Sequence, residues 1–400
     1  MTEDLRRIVL FEYEGRFLLR PDLTDDAAET LWRQHGERIT VEWPSPATGE
    51  RWRLTSRAWV GYLPLAGTYL IELAPRVPLG NLFGMLEYAY HLRSFRLLAG
   101  DVHCATLAEF YERLAHVLAK RVLDRARYGL HRSYVEANDD LAFVRGRLDV
   151  QQILCAPWRT SLPCTFEEHT TDVADNAIVF WTLDRVVRSG LCTDRSLPTI
   201  RAAHRRLAGS ATLQPFIGAD CVGRVYSRLN ADYQPMHGLC RFFLENCGPT
   251  HERGDRSVLP FLVHMPRLFE GLVAAWLQEH ARAHFRVDTQ HRTDLEATSE
   301  LEMVVDVLLS DSVTGHPLAV LDTKYKLDVT PSTADVSQVV TYAQALGCRH
   351  AVLVYPDARK PFRVDVGDIS VIAATFSIAD DLEASGHAFL SEIERVTTCK

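Results

Sequence analysis

Short alternations of apolar and polar residues fill the first 75 positions: "RIVLFEYEGRFLLR", "RITVEW" and "RWRLTSRAWVGYLPLAGTYLIELAP". A period of two predicts half-buried strands, and "PLAG" marks the turn between two of them, so a small β-rich module is expected. The apolar spacing then changes to three and four in "PLGNLFGMLEYAYHLRSF" and "TLAEFYERLAHVLAKRVLDRARYGL". This predicts two amphipathic helices, the second with Thr106 as N-cap and Glu109 closing a capping box.

From about residue 131 the texture changes to an extended segment, "LAFVRGRLDV". A helix follows within "CTFEEHTTDVADNAIVFWTLDRVVRSG", capped by Asp175 or Asn176, with Val179, Phe180, Leu183, Val186 and Val187 as its apolar face. Further helices are expected at 196–208 and 234–246. The polar, turn-rich "CGPTHERGDRSVLP" at 247–260 is the best boundary in the chain. Beyond it come a helix, "PRLFEGLVAAWLQEHARAH", with Pro266 in its first turn; strands "FRVDTQ" and "LEMVVDVLLS"; a turn, "DSVTGHP"; the strand "LAVLDTKYK"; a helix, "TADVSQVVTYAQALG"; and a strand, "HAVLVYP". That order predicts a mixed sheet flanked by helices. The chain is therefore expected to be α/β, with a β-rich and helical module over 1–130, a mainly helical middle over 131–255 and a mixed-sheet domain over 256–400.

Composition supports a folded chain: 400 residues, 47% hydrophobic and 24% charged, suffice for two or three domains with their own cores. No apolar run approaches the roughly 20 residues of a membrane span, and "MTEDLRRIVLFEYEG" lacks the sections of a signal peptide, so a cytoplasmic location is expected. Nine cysteines, widely spread and without a CxxC, suit reduced thiols better than a zinc site. The net charge of -8 is unevenly distributed: residues 131–255 carry 14 basic residues, all arginine, against 15 acidic, whereas 256–400 carry 13 against 20. A grip on phosphate would come more readily from the arginine-rich middle, where Arg145, Arg147, Arg201, Arg205 and Arg206 serve either as DNA contacts or as a solvated basic face.

Chemistry concentrates in the last third. Asp306 interrupts an apolar strand, Asp322 and Lys324 close the next, and a turn at about 311–317 joins the two. An antiparallel hairpin would place the two acids side by side, and Asp322 and Lys324, two apart, would project from one face. Tyr325 would point to the other face, while Lys326 offers a phosphate contact. The preceding helix offers Glu270, and the following helix offers Gln338 and Tyr342 at helical i,i+4 spacing. Converging carboxylates hold Mg²⁺, which polarises a phosphate and acidifies a bound water, while a neighbouring ammonium orients that water or stabilises developing charge.

An acid, a D-x-K on the next strand and a Q-x-x-x-Y on the following helix resemble the PD-(D/E)xK nuclease superfamily, in the branch with a QxxxY helix. Val305 stands where that pattern has proline. "MPRLFEGLVAAWL", "MVVDVLL", "VLDTKYK" and "SQVVTYA", with "RGRLD" at 145–149, "TDVADNAIV" at 171–179 and "APRVPLGNLFGML" at 74–86, further resemble the McrC family, the endonuclease subunit of the methylcytosine-dependent McrBC restriction system. The resemblance implies Asp306, Asp322, Glu270 and the Thr323 carbonyl as metal ligands, Lys324 as catalytic lysine, and Gln338 and Tyr342 as residues positioning lysine, water or DNA backbone. It also implies Mg²⁺ with Mn²⁺ as substitute, double-stranded DNA as substrate, paired copies for a double-strand break, and a separate McrB-type AAA+ GTPase oligomer engaged by the β-rich module. The chain has no GxxxxGK[ST] of its own, so no P-loop nucleotide site is expected here.

Other readings stand beside this one. Glu300 and Glu302 are substitutes for the first acid. His280 and His284 have a zinc-compatible spacing, but Glu279 precedes the first histidine, unlike HExxH, and a solvated helix end is the simpler reading. A nuclease of repair or anti-phage defence that needs no GTPase, and a non-catalytic activator of the motor, are the alternatives at the level of function.

Overall fold

The computed structural model describes residues 6–65, 69–92, 106–247, 261–294, 302–326, 330–357 and 360–398. The chain begins with β1 (Arg6–Phe11), β2 (Gly15–Leu18), α1 (Asp25–His35), β3 (Ile39–Glu42), β4 (Trp52–Ser56), β5 (Trp59–Leu65), β6 (Tyr69–Ala74) and α2 (Leu79–Ala89). It continues through α3 (Leu107–Tyr128), β7 (Ser133–Leu141), β8 (Arg147–Leu148), α4 (Val150–Cys155), β9 (Leu162–Thr170), α5 (Ala174–Arg188), α6 (Leu197–Ala208) and α7 (Tyr233–Asn246). The last third holds β10 (Phe261–His264), α8 (Met265–His280), β11 (Phe285–Asp294), β12 (Glu302–Asp311), β13 (Pro317–Thr323), α9 (Thr333–Leu346), β14 (His350–Tyr355), β15 (Arg363–Val366), β16 (Ile369–Thr375) and α10 (Leu382–Thr398). The class is the mixed α/β that the patterning predicts. No helix among the described residues is long and apolar enough to cross a membrane.

Contacts divide the chain into two compact units. One takes the described residues of Met1–Glu109, Asn246–Thr250 and Pro260–Lys400, the other those of Phe110–Glu245 and His251–Leu259. Where the sequence reading cuts the chain at 130 and 255, its first and last segments thus share a unit. The reason is local: β10 adds antiparallel to β5 and completes a four-stranded sheet in the order β1-β6-β5-β10. Gly61 makes that pairing possible, because it has φ 143° and a Cβ there would lie 1.8 Å from the Phe261 carbonyl oxygen. A second sheet, β2-β4-β3, and α1 bury Trp52, Leu54, Ala28 and Leu31 completely against Ile71 and Leu73. Each large apolar side chain so buried contributes on the order of 1.5–3 kcal/mol.

The site-bearing sheet of the same unit has the order β11-β12-β13-β14-β16-β15. Its first three strands are antiparallel and β13, β14 and β16 run parallel. Parallel neighbours need a crossover, and α9 supplies the one between β13 and β14. It is capped by Ser332, whose hydroxyl accepts from the Asp335 amide, and ends at Gly347 in the left-handed region. Val339 and Ala343 of α9 pack on Val320, Leu353 and Val371 in a fully buried cluster.

The second unit differs from expectation in two places. Helices α4 to α7 are its main regular structure over 131–255, but they are not alone, since β7-β9-β8 form a three-stranded sheet. Strand β7 reads "SYVEANDDL" and is exposed along most of its length, so it carries no apolar alternation to betray it. Asp175 and Asn176 do not cap α5 either, because Val173 is its N-cap residue and the two polar residues are buried inside the first turn. There Asp175 accepts from Arg224 Nε at 2.9 Å and Asn230 Nδ2 at 3.1 Å and lies 2.9 Å from His131 Nδ1. Asn176 donates to the carbonyls of His131 and Thr171. Thr106, by contrast, accepts from the Glu109 amide as an N-cap should.

Candidate active site

The β12–β13 hairpin brings the acids together. Val307 pairs with Leu321 and Leu308 with Val320, and one step further the same register sets Asp306 beside Asp322. Ala319, Val320 and Leu321 are fully buried, which anchors β13 from both faces and fixes where its polar end emerges. Asp306 Oδ2 accepts from the Thr323 amide at 2.7 Å and from its hydroxyl at 2.8 Å. Thr323 thus fastens one acid through donors, a role beyond the carbonyl that the family resemblance implies.

Lys324 Nζ lies 2.6 Å from Asp322 Oδ2 and donates to Gln338 Oε1 at 3.0 Å. Gln338 Nε2 in turn donates to the Tyr342 hydroxyl at 2.8 Å. The one-turn spacing on α9 therefore builds a relay that holds the lysine head over Asp322. The ion pair is made off the hydrogen-bonding direction, so Asp322 Oδ2 is buried without a hydrogen bond of good geometry.

Electrostatics mark the same place. Burial pushes the Asp322 carboxyl up to about 6, against the pull of Lys324 and with repulsion from Asp306 and Asp335. Burial and then the charge of Asp306 raise Glu270, on α8, to about 7, with Arg267 opposing and Asp322 adding to the rise. Acids whose charges disfavour one another suit a cation of hard character, and displaced carboxyl values of this kind cluster at functional sites. Among the described residues no three acidic, histidine or cysteine side chains are gathered at ligand distances.

Other expected residues fall elsewhere. Lys326 is tied to α9, with both oxygens of Asp335 accepting from it at 2.7 and 2.9 Å. Glu302 begins β12 opposite Asp294, four residues from Asp306, and Glu300 lies outside the described residues. The His280 ring stacks on Trp276 with centroids 4.2 Å apart, and His284 lies 3.5 Å from Glu394. Helix α8 ends at His280, so His284 lies beyond it and the two do not share a helical face; His280 is packed on Trp276 rather than solvated. Cys155, Cys164, Cys221, Cys240 and Cys348 are free thiols. In the second unit Arg147, Arg201, Arg205 and Arg206 are exposed, and Arg145 lies over the Phe166 ring at 3.9 Å.

Three residues near the site went unnoticed in the sequence. Behind β13, Tyr325 donates to Glu12 Oε2 at 3.2 Å, and Tyr13 donates to the Tyr325 carbonyl at 3.0 Å. On the open side, Gln290 of β11 donates through Nε2 to Glu270 Oε1. Only an acid directly after an apolar run, "VLFE", gives any signal for Glu12, and nothing in the sequence marks Gln290.

Comparison with known proteins bears on the family and the fold. Residues 54–356 match the model of the family described as McrBC 5-methylcytosine restriction system component. Among solved structures, the chain is similar to a refined half-complex from a tetradecameric assembly of Thermococcus gammatolerans McrB AAA+ hexamers with bound McrC. The identity is 16%, the match covers 98% of this chain and 100% of that chain, and the TM-score is 0.56. It is also similar to the cryo-EM structure of the Thermococcus gammatolerans McrBC complex, with 18% identity, 68% of this chain and 87% of that chain covered, and a TM-score of 0.44. At 16% identity the first likeness is one of fold. No curated protein matches.

Proposed function

We propose, from the premise that this chain belongs to the McrBC family of 5-methylcytosine restriction system components, that it is the system's Mg²⁺-dependent DNA endonuclease subunit. The observation that carries the proposal is the meeting of Asp306, Asp322 and Lys324 at the end of one hairpin, with Gln338 and Tyr342 holding the lysine.

Asp306 and Asp322 would hold Mg²⁺, or Mn²⁺ in its place, with Glu270 and the Thr323 carbonyl completing the protein's oxygen set. The residues fit such an ion: all are hard oxygen donors, and the buried Oδ2 of Asp322 lacks a well-directed partner. Bound there, the ion supplies Lewis acidity toward the phosphate and toward a water. Lys324 orients the attacking water and stabilises the charge that builds on the phosphate oxygens, and its own position is set by Gln338. Thr323 keeps Asp306 from turning away by two hydrogen bonds.

The partner we propose is a GTP-hydrolysing AAA+ oligomer of the McrB type, the kind of protein found with McrC in the Thermococcus assembly. GTP would be consumed by that partner. One such site cuts one strand, so cleavage of double-stranded DNA calls for two copies of the chain. The test is to copurify the chain with a P-loop partner from a neighbouring reading frame and assay cleavage of 5-methylcytosine DNA against unmodified DNA. Cutting that requires Mg²⁺, GTP and the modification is expected. Cutting without the partner would favour a stand-alone nuclease.

A further inference from the structure

Among the described residues four non-glycine positions have positive φ: Tyr13, Glu50, His91 and Gln290. Gln290 alone of these lies inside a strand, at φ 49°. A left-handed residue with a long side chain is disfavoured and persists only where its surroundings over-determine it. In β11 the ladder pairs Thr289 with Val307 and His291 with Val305, so the interrupted step falls opposite Asp306. The strain is thus placed one strand away from an acid of the site.

What the distortion achieves is visible in the side chain. Gln290 is exposed, lies at the open side of the site, and donates its amide to Glu270 Oε1. An ordinary extended residue would have continued the ladder opposite Asp306 instead. Glu270 comes from α8, not from the hairpin, and so needs something besides the hairpin register to keep its carboxylate beside Asp306.

We propose that Gln290 is a positioning residue of this site, whose left-handed backbone aims its amide at Glu270 and holds that carboxylate where a divalent cation would meet Asp306 and Asp322. The inference rests on the nuclease reading above and deepens it. It assigns to β11 a part in cation binding that the D-x-K and Q-x-x-x-Y patterns do not contain.

Two substitutions separate positioning from packing. Gln290→Met keeps length and strain but removes the donor; Gln290→Gly removes the donor and relaxes the backbone. The full chain is titrated with MgCl₂ by calorimetry, melted without cation, and assayed for cleavage across a Mg²⁺ series. Both variants are expected to bind Mg²⁺ roughly tenfold more weakly, with cleavage recovering at high Mg²⁺. The glycine variant should melt at or above the wild-type temperature, since glycine tolerates φ 49° without strain. Wild-type affinity in both variants overturns the proposal, as does a glycine variant that loses affinity and melts lower, because Gln290 would then be an ordinary structural residue. If the wild type itself binds no Mg²⁺ and Asp322→Ala changes nothing, the nuclease reading fails and the role of Gln290 falls with it.

Discussion

Tyr325 donates its hydroxyl to Glu12, a residue 313 positions earlier, at 3.2 Å. The bond ties the segment that follows β13, next to Lys324, to the residue that follows β1, and Tyr13 adds a second tie to the Tyr325 carbonyl. Glu12 also accepts from the Arg76 amide, yet it is completely buried and burial raises its carboxyl to about 7. The folded chain therefore holds this proton longer than the unfolded chain does. Stability from this group is full below its ordinary value near 4.5, declines as pH rises, and is lost through about 7. A shift of that size is on the order of 3 kcal/mol at alkaline pH. Glu12→Gln, which keeps an acceptor and never ionises, should gain stability relative to wild type between pH 4.5 and 8.5. Urea melts at both pH values measure it, and a difference independent of pH would contradict the burial argument.

The relay on α9 predicts a graded loss. Gln338→Ala removes the hydrogen bond from Lys324 Nζ to Gln338 and leaves it the ion pairs with Asp322 at 2.6 Å and Asp335 at 3.9 Å, so the lysine head is less tightly placed. Cleavage rates should fall by about 10²-fold, in keeping with a misplaced catalytic group. Tyr342→Phe removes only the bond to Gln338 Nε2 and should cost less than tenfold. Single-turnover cleavage at saturating Mg²⁺ checks the order, and equal losses in the two variants would mean that the relay does not run through Gln338.

Cation binding should depend on pH in a definite direction. Asp322 sits at about 6 and Glu270 at about 7 without cation, so protons compete with Mg²⁺ as pH falls through that window. Calorimetric affinity is expected to weaken at least tenfold between pH 8 and pH 5.5. The same acids destabilise the cation-free fold as they ionise, so Mg²⁺ should raise the melting temperature at pH 8 and have little effect at pH 5.5. An affinity that is flat across the window would place the cation elsewhere.

How much of this was legible depends on where the information lies. The hairpin acids and α9 were readable because Asp306 breaks an apolar strand, D-x-K ends the next, and Gln338 and Tyr342 keep helical spacing. These are local patterns, and the register did the rest. The Lys326–Asp335 pair was not legible, because Asp335 belongs to the α9 capping box nine residues on and no periodicity links a lysine after a strand to that acid. Glu12 and Tyr13 act through contacts hundreds of positions away, and β10 joins a sheet formed by residues 6–74. Gln290 is recognisable only by its backbone angle, which its residue type opposes. Strand β7 escaped because it is exposed on both faces.

Whether Asp322 and Lys324 perform hydrolysis in this chain is decided by one paired measurement on Asp322→Ala. The variant, mixed with the AAA+ partner and methylated DNA, is assayed for strand cleavage and for GTP turnover in the same reaction. Mg²⁺-dependent cleavage is expected to fall by at least about 10³-fold, the scale seen when the groups that stabilise a transition state are removed, while partner binding and GTP turnover persist. Cleavage at the wild-type rate would mean that hydrolysis does not depend on Asp322.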